Sequence, residues 1–234
     1  MNKNDAIINI MAGDAKMWMW PSELRDDAVL MLLAMDSYYD NIKYASKRLY
    51  ADRAFVNFVI NSHGNALKYA SDELKDDKDI VLLAIKHSNG SALLYASEKL
   101  KDDKDVVMTA VNTNGCCLTY ASERLKNDEE VVMAAIKNNG FAFSYAPDLF
   151  KDNEEMAMIA VENTFSFSYA SKRLRGNANV ALRAIQNAYQ HRNGFMCVEC
   201  DILPYLDKSL KLDMNFMVKF ARIDIKLAKK FLDM

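Results

Sequence analysis

The stretch NGSALLYASEKLKDDKDVVMTAVNTNGCCLTYASERLKNDEEVV, residues 89–132, writes one pattern twice, and its reading decides the fold. Aligned on Tyr-Ala-Ser, the pattern continues in both directions. Its tyrosines are Tyr44, Tyr69, Tyr95, Tyr120, Tyr145 (followed by Ala-Pro) and Tyr169, at steps of 25, 26, 25, 25 and 24 residues. A leucine follows five residues later (Leu49, Leu74, Leu100, Leu125, Leu174), with Phe150 in the fifth copy. Three residues beyond stand Asp52, Asp77, Asp103, Asp128, Asn153 and Asn177, with Asp27 before them and Asp213 after. A fixed period of this length marks stacked supersecondary modules, of which eight are legible.

Each Asp or Asn sits where a helix N-cap belongs, its side-chain oxygen able to accept from an orphan amide of the first turn. Counting from the cap, positions 3, 4, 7 and 8 are apolar: Ile80, Val81, Ala84 and Ile85 in one module, Phe216, Met217, Phe220 and Ala221 in the last. That spacing makes one helical stripe and not the alternation of a strand. Gly64, Gly90, Gly115 and Gly140 follow these helices and are expected to end them in the left-handed conformation. A second, shorter helix is expected in SALLYASEKL, where Ala92, Tyr95, Ala96 and Leu100 share a face. Pro147, in the place of a serine, puts a corner there. Acids such as Asp79, Asp105 and Glu130 crowd the start of the first helix, while Lys or Arg follows the recurring leucine, as the helix dipoles favour. A calcium-loop reading of KDDKD fails because the oxygens stop after four residues and the chain turns apolar.

One such module cannot cover both of its apolar stripes, so the modules must stack. The expected fold is all-α, an α-solenoid of short helix-turn-helix repeats in a single domain. Residues 1–26 form an N-terminal cap, 27–187 the regular repeats, 188–212 an irregular module and 213–234 closing helices. At the amino end Asn4 with Ile7, Ile8 and Met11 suggests a degenerate first helix, and Trp18 and Trp20 read as cap residues. The last segment, with Lys226, Lys229 and Lys230 among Ile225, Leu227 and Phe231, reads as an amphipathic closing helix with a polar outer side, which favours a monomer or small oligomer over a self-assembling array.

Composition agrees: 7 Gly and 3 Pro in 234 residues are few for a chain of turns. Lys plus Arg (30) nearly balance Asp plus Glu (32), so no basic field favours nucleic acid. No apolar run is long enough to cross a membrane and no signal peptide is visible, so a cytoplasmic protein with reduced thiols is expected.

The acid or Asn cap, the apolar quartet, Asn-Gly, and Tyr-Ala-Ser closed by Leu and a cation, read from Asp77 to Lys101 and from Asp103 to Lys126, resemble the DUF4116 repeat. The resemblance is specific from Tyr44 to about Ile185 and is lost after His191. It implies a repeat fold, and since that family is one of unknown function it implies no catalytic residue.

Function must then lie in what differs between copies. The residue before each tyrosine is Lys43, Lys68, Leu94, Thr119, Ser144 and Ser168, and four before it stand Asp40, Asn65, Ser91, Cys116 and Phe141. Stacked, these form a ladder, with Phe141 and Phe143 at its apolar end and lysines at the other. It is the candidate surface for a protein or peptide partner. No catalytic constellation or cofactor motif is legible: His63, His87 and His191 occupy unrelated module positions. The competing site is the insertion that lengthens the step from Tyr169 to Tyr205 to 36 residues, where His191, Cys197 and Cys200 have half the spacing of a zinc or redox centre. Cys116 and Cys117 read as packing residues.

Overall fold

The structure is a computed structural model that describes residues 1–14, 16–163, 166–190 and 201–234. The described residues form helices and turns, with no strand. The fold is therefore all-α, a tandem helical repeat of the solenoid kind. The chain divides into two compact units, Met1–Ala110 and Val111–Met234.

The eight caps from Asp27 to Asp213 are all made. Asp27, Asp52, Asp77 and Asp103 accept from the amides of Leu30, Phe55, Ile80 and Val106 at 3.1–3.2 Å. In the second unit Asp128, Asn153, Asn177 and Asp213 do the same for Val131, Met156, Val180 and Phe216. Each such cap stabilises its helix by about 1 kcal/mol. The quartet behind it is buried, from Leu30, Met31, Ala34 and Met35 to Val180, Ala181, Ala184 and Ile185. In the last module Phe216, Met217 and Phe220 are buried and Ala221 is half-buried. Long helices accordingly pack on their successors within a unit, Arg53–Ser62 on Lys78–His87 and Glu154–Asn163 on Ala178–Gln190.

The second helix is not continuous. A 3-10 turn, Ser91–Tyr95 in one copy and Gly140–Tyr145 in another, is followed by an extended alanine and then by a one-turn helix such as Glu98–Lys101. Serine is the cause: as an N-cap it needs extended backbone, and its hydroxyl accepts from the leucine amide, at 3.2 Å for Ser46, Ser97, Ser122 and Ser171. Pro147 fits the same place because its φ is −58° there. Tyr-Ala-Ser is thus a corner, and the shared face of Ala92, Tyr95, Ala96 and Leu100 comes from two pieces bent around it.

The glycines also differ from expectation. Only Gly90 of the four is left-handed, at φ 85°, beside Asn89 at φ 52°. This pair lies in the 26-residue step and absorbs its extra residue. Elsewhere the long helix ends on an extended residue, His63, Asn114 or Asn139, and the 3-10 turn begins at the glycine. Glycine is needed there for close approach: a Cβ would lie 2.4 Å from the Ala84 carbonyl oxygen at Gly64 and 2.1 Å from that of Ala135 at Gly115.

At the amino end the first helix is Lys3–Met11, capped by Asn2 and not Asn4. It buries Ala6 and Ile10 and leaves Ile8 and Met11 63% and 83% exposed. Asn2 stands 25 residues before Asp27, so the period already runs here. A 3-10 turn Met17–Met19, Pro21 in the serine place and the helix Ser22–Arg25 complete the module. Trp20 is buried in the alanine place, and Trp18 is exposed. At the carboxyl end Asp224 caps Ile225–Asp233, whose Phe231 packs against Phe216 and Phe220. Its outer side is not wholly polar, since Ile225 and Leu232 remain exposed. Among the described residues no helix is long and apolar enough to cross a membrane.

Neighbouring modules are joined through the corner serine. Its N–H donates to the carbonyl of the preceding short helix, Ser46 to Arg25, Ser71 to Tyr50, Ser97 to Lys75 and Ser171 to Lys151, at 2.8–2.9 Å. Its hydroxyl donates to a carboxylate one residue further on: Ser46 to Asp26, Ser97 to Asp76 and Ser171 to Asp152. A cation two residues after the serine closes the group, Arg48 on Asp26, Lys99 on Asp76 and Arg173 on Asp152, at 2.8–3.0 Å. Where the acid is missing the cation is missing too. Ala51 meets Glu73, Asn127 goes with Leu149, and Gly176 goes with Ser209. The Ser71 hydroxyl, opposite Ala51, is buried and has no carboxylate of the preceding module to donate to.

Two predictions follow from this packing. Gly115→Ala should lower the unfolding free energy by about 2 kcal/mol, the cost of overpacking, in urea denaturation; unchanged stability would contradict the close approach. Asp26 is held below its usual pKa by Arg48 and then Ser46, and Asp76 and Asp152 by their serines and then Lys99 and Arg173. A carboxyl depressed in the folded state contributes stability above its unfolded pKa and loses it as pH falls through the folded one. The melting temperature should therefore drop as pH falls below about 4, and a triple Asp→Asn variant at 26, 76 and 152 should show a shallower drop.

Candidate functional site

The 3-10 turn decides which side chains face outward. Side chains three apart eclipse one another in this geometry. In Gly64–Tyr69 this sends Ala66 and Leu67 into the core and leaves Asn65 and Lys68 on the outer side. Asp40 with Lys43 and Ser91 with Leu94 repeat the arrangement in the first unit, Cys116 with Thr119 and Phe141 with Ser144 in the second. Each unit thus carries its own part of the ladder.

In the first unit the rungs touch. The Ser91 hydroxyl donates to Asn65 Oδ1 at 2.9 Å, and the Tyr69 hydroxyl to Asp40 Oδ1 at 3.3 Å. Lys43 and Lys68 are not independent cations: their Nζ atoms lie 2.8 Å and 3.9 Å from the Asp40 carboxylate. They also lie 5.1 Å and 4.5 Å from the ring centroids of Tyr44 and Tyr69. Asp40 is held below the usual carboxylate range by the Lys43 hydrogen bond first. Leu94 is 43% exposed, and Trp18, 61% exposed, lies with its ring 6.4 Å from that of Tyr44. Sequence reasoning missed the joining role of Asp40, although an acid three residues before Lys43 signals an ion pair on one face.

In the second unit Phe141 meets Tyr145 and Tyr169 edge-on, at 5.8 Å and 5.7 Å between centroids. Ser144 returns its hydroxyl to the Phe141 carbonyl at 2.8 Å, and Thr119 and Ser168 are half-buried. Phe143 is not part of this surface. It is fully buried, in the inward place held by Leu67, Leu93 and Leu118, because it stands two residues before the tyrosine and not one or four.

A family model described as "Domain of unknown function (DUF4116)" matches residues 52–101, 87–126, 103–151 and 128–175, together more than half of the chain. The chain belongs to the DUF4116 family. Three of the matches begin on a cap, Asp52, Asp103 or Asp128, so the DUF4116 pattern is written in the residues that hold the scaffold. No curated protein and no solved structure matches the chain.

His191, Cys197 and Cys200 lie outside the described residues. Among the described residues no group of three His, Cys, Asp or Glu side chains could hold a metal ion. His63 and His87 are exposed near the ends of two long helices, one module apart. Of the DUF4116 cysteines described, Cys117 is buried in the place of Ala66 and Ala92, and burial, then the neighbouring Cys116, pushes its thiol up to about 11. Cys116 is half-buried, its thiol also raised by burial, and accepts from Asn139 Nδ2 at 3.4 Å. Thiolate is the nucleophile, so iodoacetamide at pH 8 should leave Cys117 unlabelled in the native protein and modify it after unfolding. Peptide mapping showing native labelling of Cys117 would refute this burial.

Proposed function

We propose that the protein is a non-catalytic repeat scaffold that binds a protein or peptide along the outer side of its 3-10 turns. The supporting observation is the division of labour within the turn. Inward places hold Ala, Leu, Ile, Cys or Phe, apart from Asn41 and Ser166, which bond backbone carbonyls, while outward places change from module to module among Asp, Asn, Ser, Cys, Lys, Leu, Thr and Phe. In the first unit the outward side offers a carboxylate held by two lysines, an exposed leucine and an exposed tryptophan, the mixture of charged and apolar anchors that protein interfaces use. No cofactor enters this reading, and the working form is a monomer or small oligomer.

The test is affinity capture of the folded protein from its native lysate, in parallel with a Lys68→Glu, Leu94→Glu variant. Both side chains are at least partly exposed, so the variant should keep its helical circular dichroism and lose less than about 1 kcal/mol of stability. The expected result is a stoichiometric protein partner held by the wild type and lost by the variant. A variant that retains every partner would exclude the first-unit ladder as the binding surface.

A further inference from the structure

Two clefts occupy the same place in the repeat, between a short helix and the following corner. One, of about 290 Å³, is lined by Lys47, Tyr50, Tyr69, Ser71 and Glu73. The other, of about 380 Å³, lies in the second unit and is lined by Lys172, Arg175, Tyr205, Asp207 and Lys208. Both fall where the joining acid is absent, at Ala51 and at Gly176. The second gains two cations, Lys172 and Lys208, in places where other modules carry acids, against one acid, Asp207, in the place of the serine.

Lys75, Lys101, Lys126 and Lys151, the equivalents of Arg175, each pair with an acid three residues earlier: Asp72, Glu98, Glu123 and Asp148. Lys172 stands in that acid's place, and Lys208 stands in the same place of the next module. Arg175 Nε is buried without a hydrogen bond. Arg25 shares that unpartnered nitrogen, but an acid, Asp26, follows it in the chain, whereas Gly176 follows Arg175. The Asp207 carboxylate accepts from the Ser209 amide at 2.9 Å and is held below the usual carboxylate range by Ser209 first and then by Lys172 and Arg175, so it offsets one of the three cations. One acid against three cations leaves the cleft at a formal charge of +2, in a chain whose net charge is −2.

We propose that this cleft binds a phosphate monoester. Such a group carries about −1.5 to −2 at neutral pH, which balances the cleft. The Arg175 guanidinium offers the fork geometry that phosphate oxygens accept, and Lys172 and Lys208 add point charges. The volume exceeds that of phosphate alone, so the remainder receives the group that bears it. The site does not depend on the partner surface proposed above.

The test titrates the full chain with inorganic phosphate and with O-phosphoserine, by calorimetry at constant ionic strength. Saturable one-to-one binding is expected for both, at least about tenfold weaker in Arg175→Gln and in Lys208→Gln, since each removes one charge-assisted contact. Lys208 is exposed, so its variant keeps the test informative if the arginine variant folds poorly. Gly176→Asp, which returns the carboxylate that other modules carry, should weaken binding as well. No saturable heat, equal affinity in the Lys208 variant, or exclusion of the ester while inorganic phosphate binds would overturn the assignment.

Discussion

The corner serine is the interaction on which the rest of the structure depends. It ends a 3-10 turn, starts a one-turn helix, and bonds its amide and hydroxyl to the module before it. A ten-residue helix such as Lys78–His87 is marginal alone in water. Its apolar face becomes stable only when a neighbour is held at the right height, and the serine sets that height. The glycines that open the 3-10 turns at Gly64 and Gly115 complete the arrangement by letting the next long helix pass at backbone contact.

Much of this was legible in the sequence, for physical reasons. Capping leaves a strong local mark, because Asp and Asn are favoured at one helix position and the apolar quartet follows at fixed offsets. The corner was hidden because Ala92, Tyr95, Ala96 and Leu100 keep helical spacings across a bend, and serine is tolerated in a helix as well as at its start. At the amino end the weak stripe of Ala6 and Ile10 lost to the larger Ile7, Ile8 and Met11, although Asn2 kept the period. Phe143 was misplaced because aromatic character was weighed before the three-residue geometry of the turn. The outward lysines were found by position alone, but Asp40, which gathers them, needed the stacked neighbours to be seen.

The junction residues show a deeper limit. Asp26 and Arg48 are 22 residues apart, and Asp76 and Lys99 are 23 apart. No local window relates them, and only the superposition of modules shows that acid and cation come and go together. The family pattern describes the scaffold that this chain shares with others of its kind. The departures from it, at Ala51 with Glu73 and at Gly176 with Lys172, mark where the chain has an open groove in place of a closed one.

Near-identical modules carry a hazard during folding, since each can dock against the wrong neighbour. The acid and cation groups act against that error. If the module carrying Glu73 skipped its neighbour, it would set a carboxylate against Asp26, where Arg48 belongs. If the module carrying Lys99 skipped its own, it would lie against Ala51 and leave Asp76 without its cation. The order of charged and uncharged junctions thus works as an address, telling otherwise interchangeable pieces of the chain which piece comes next.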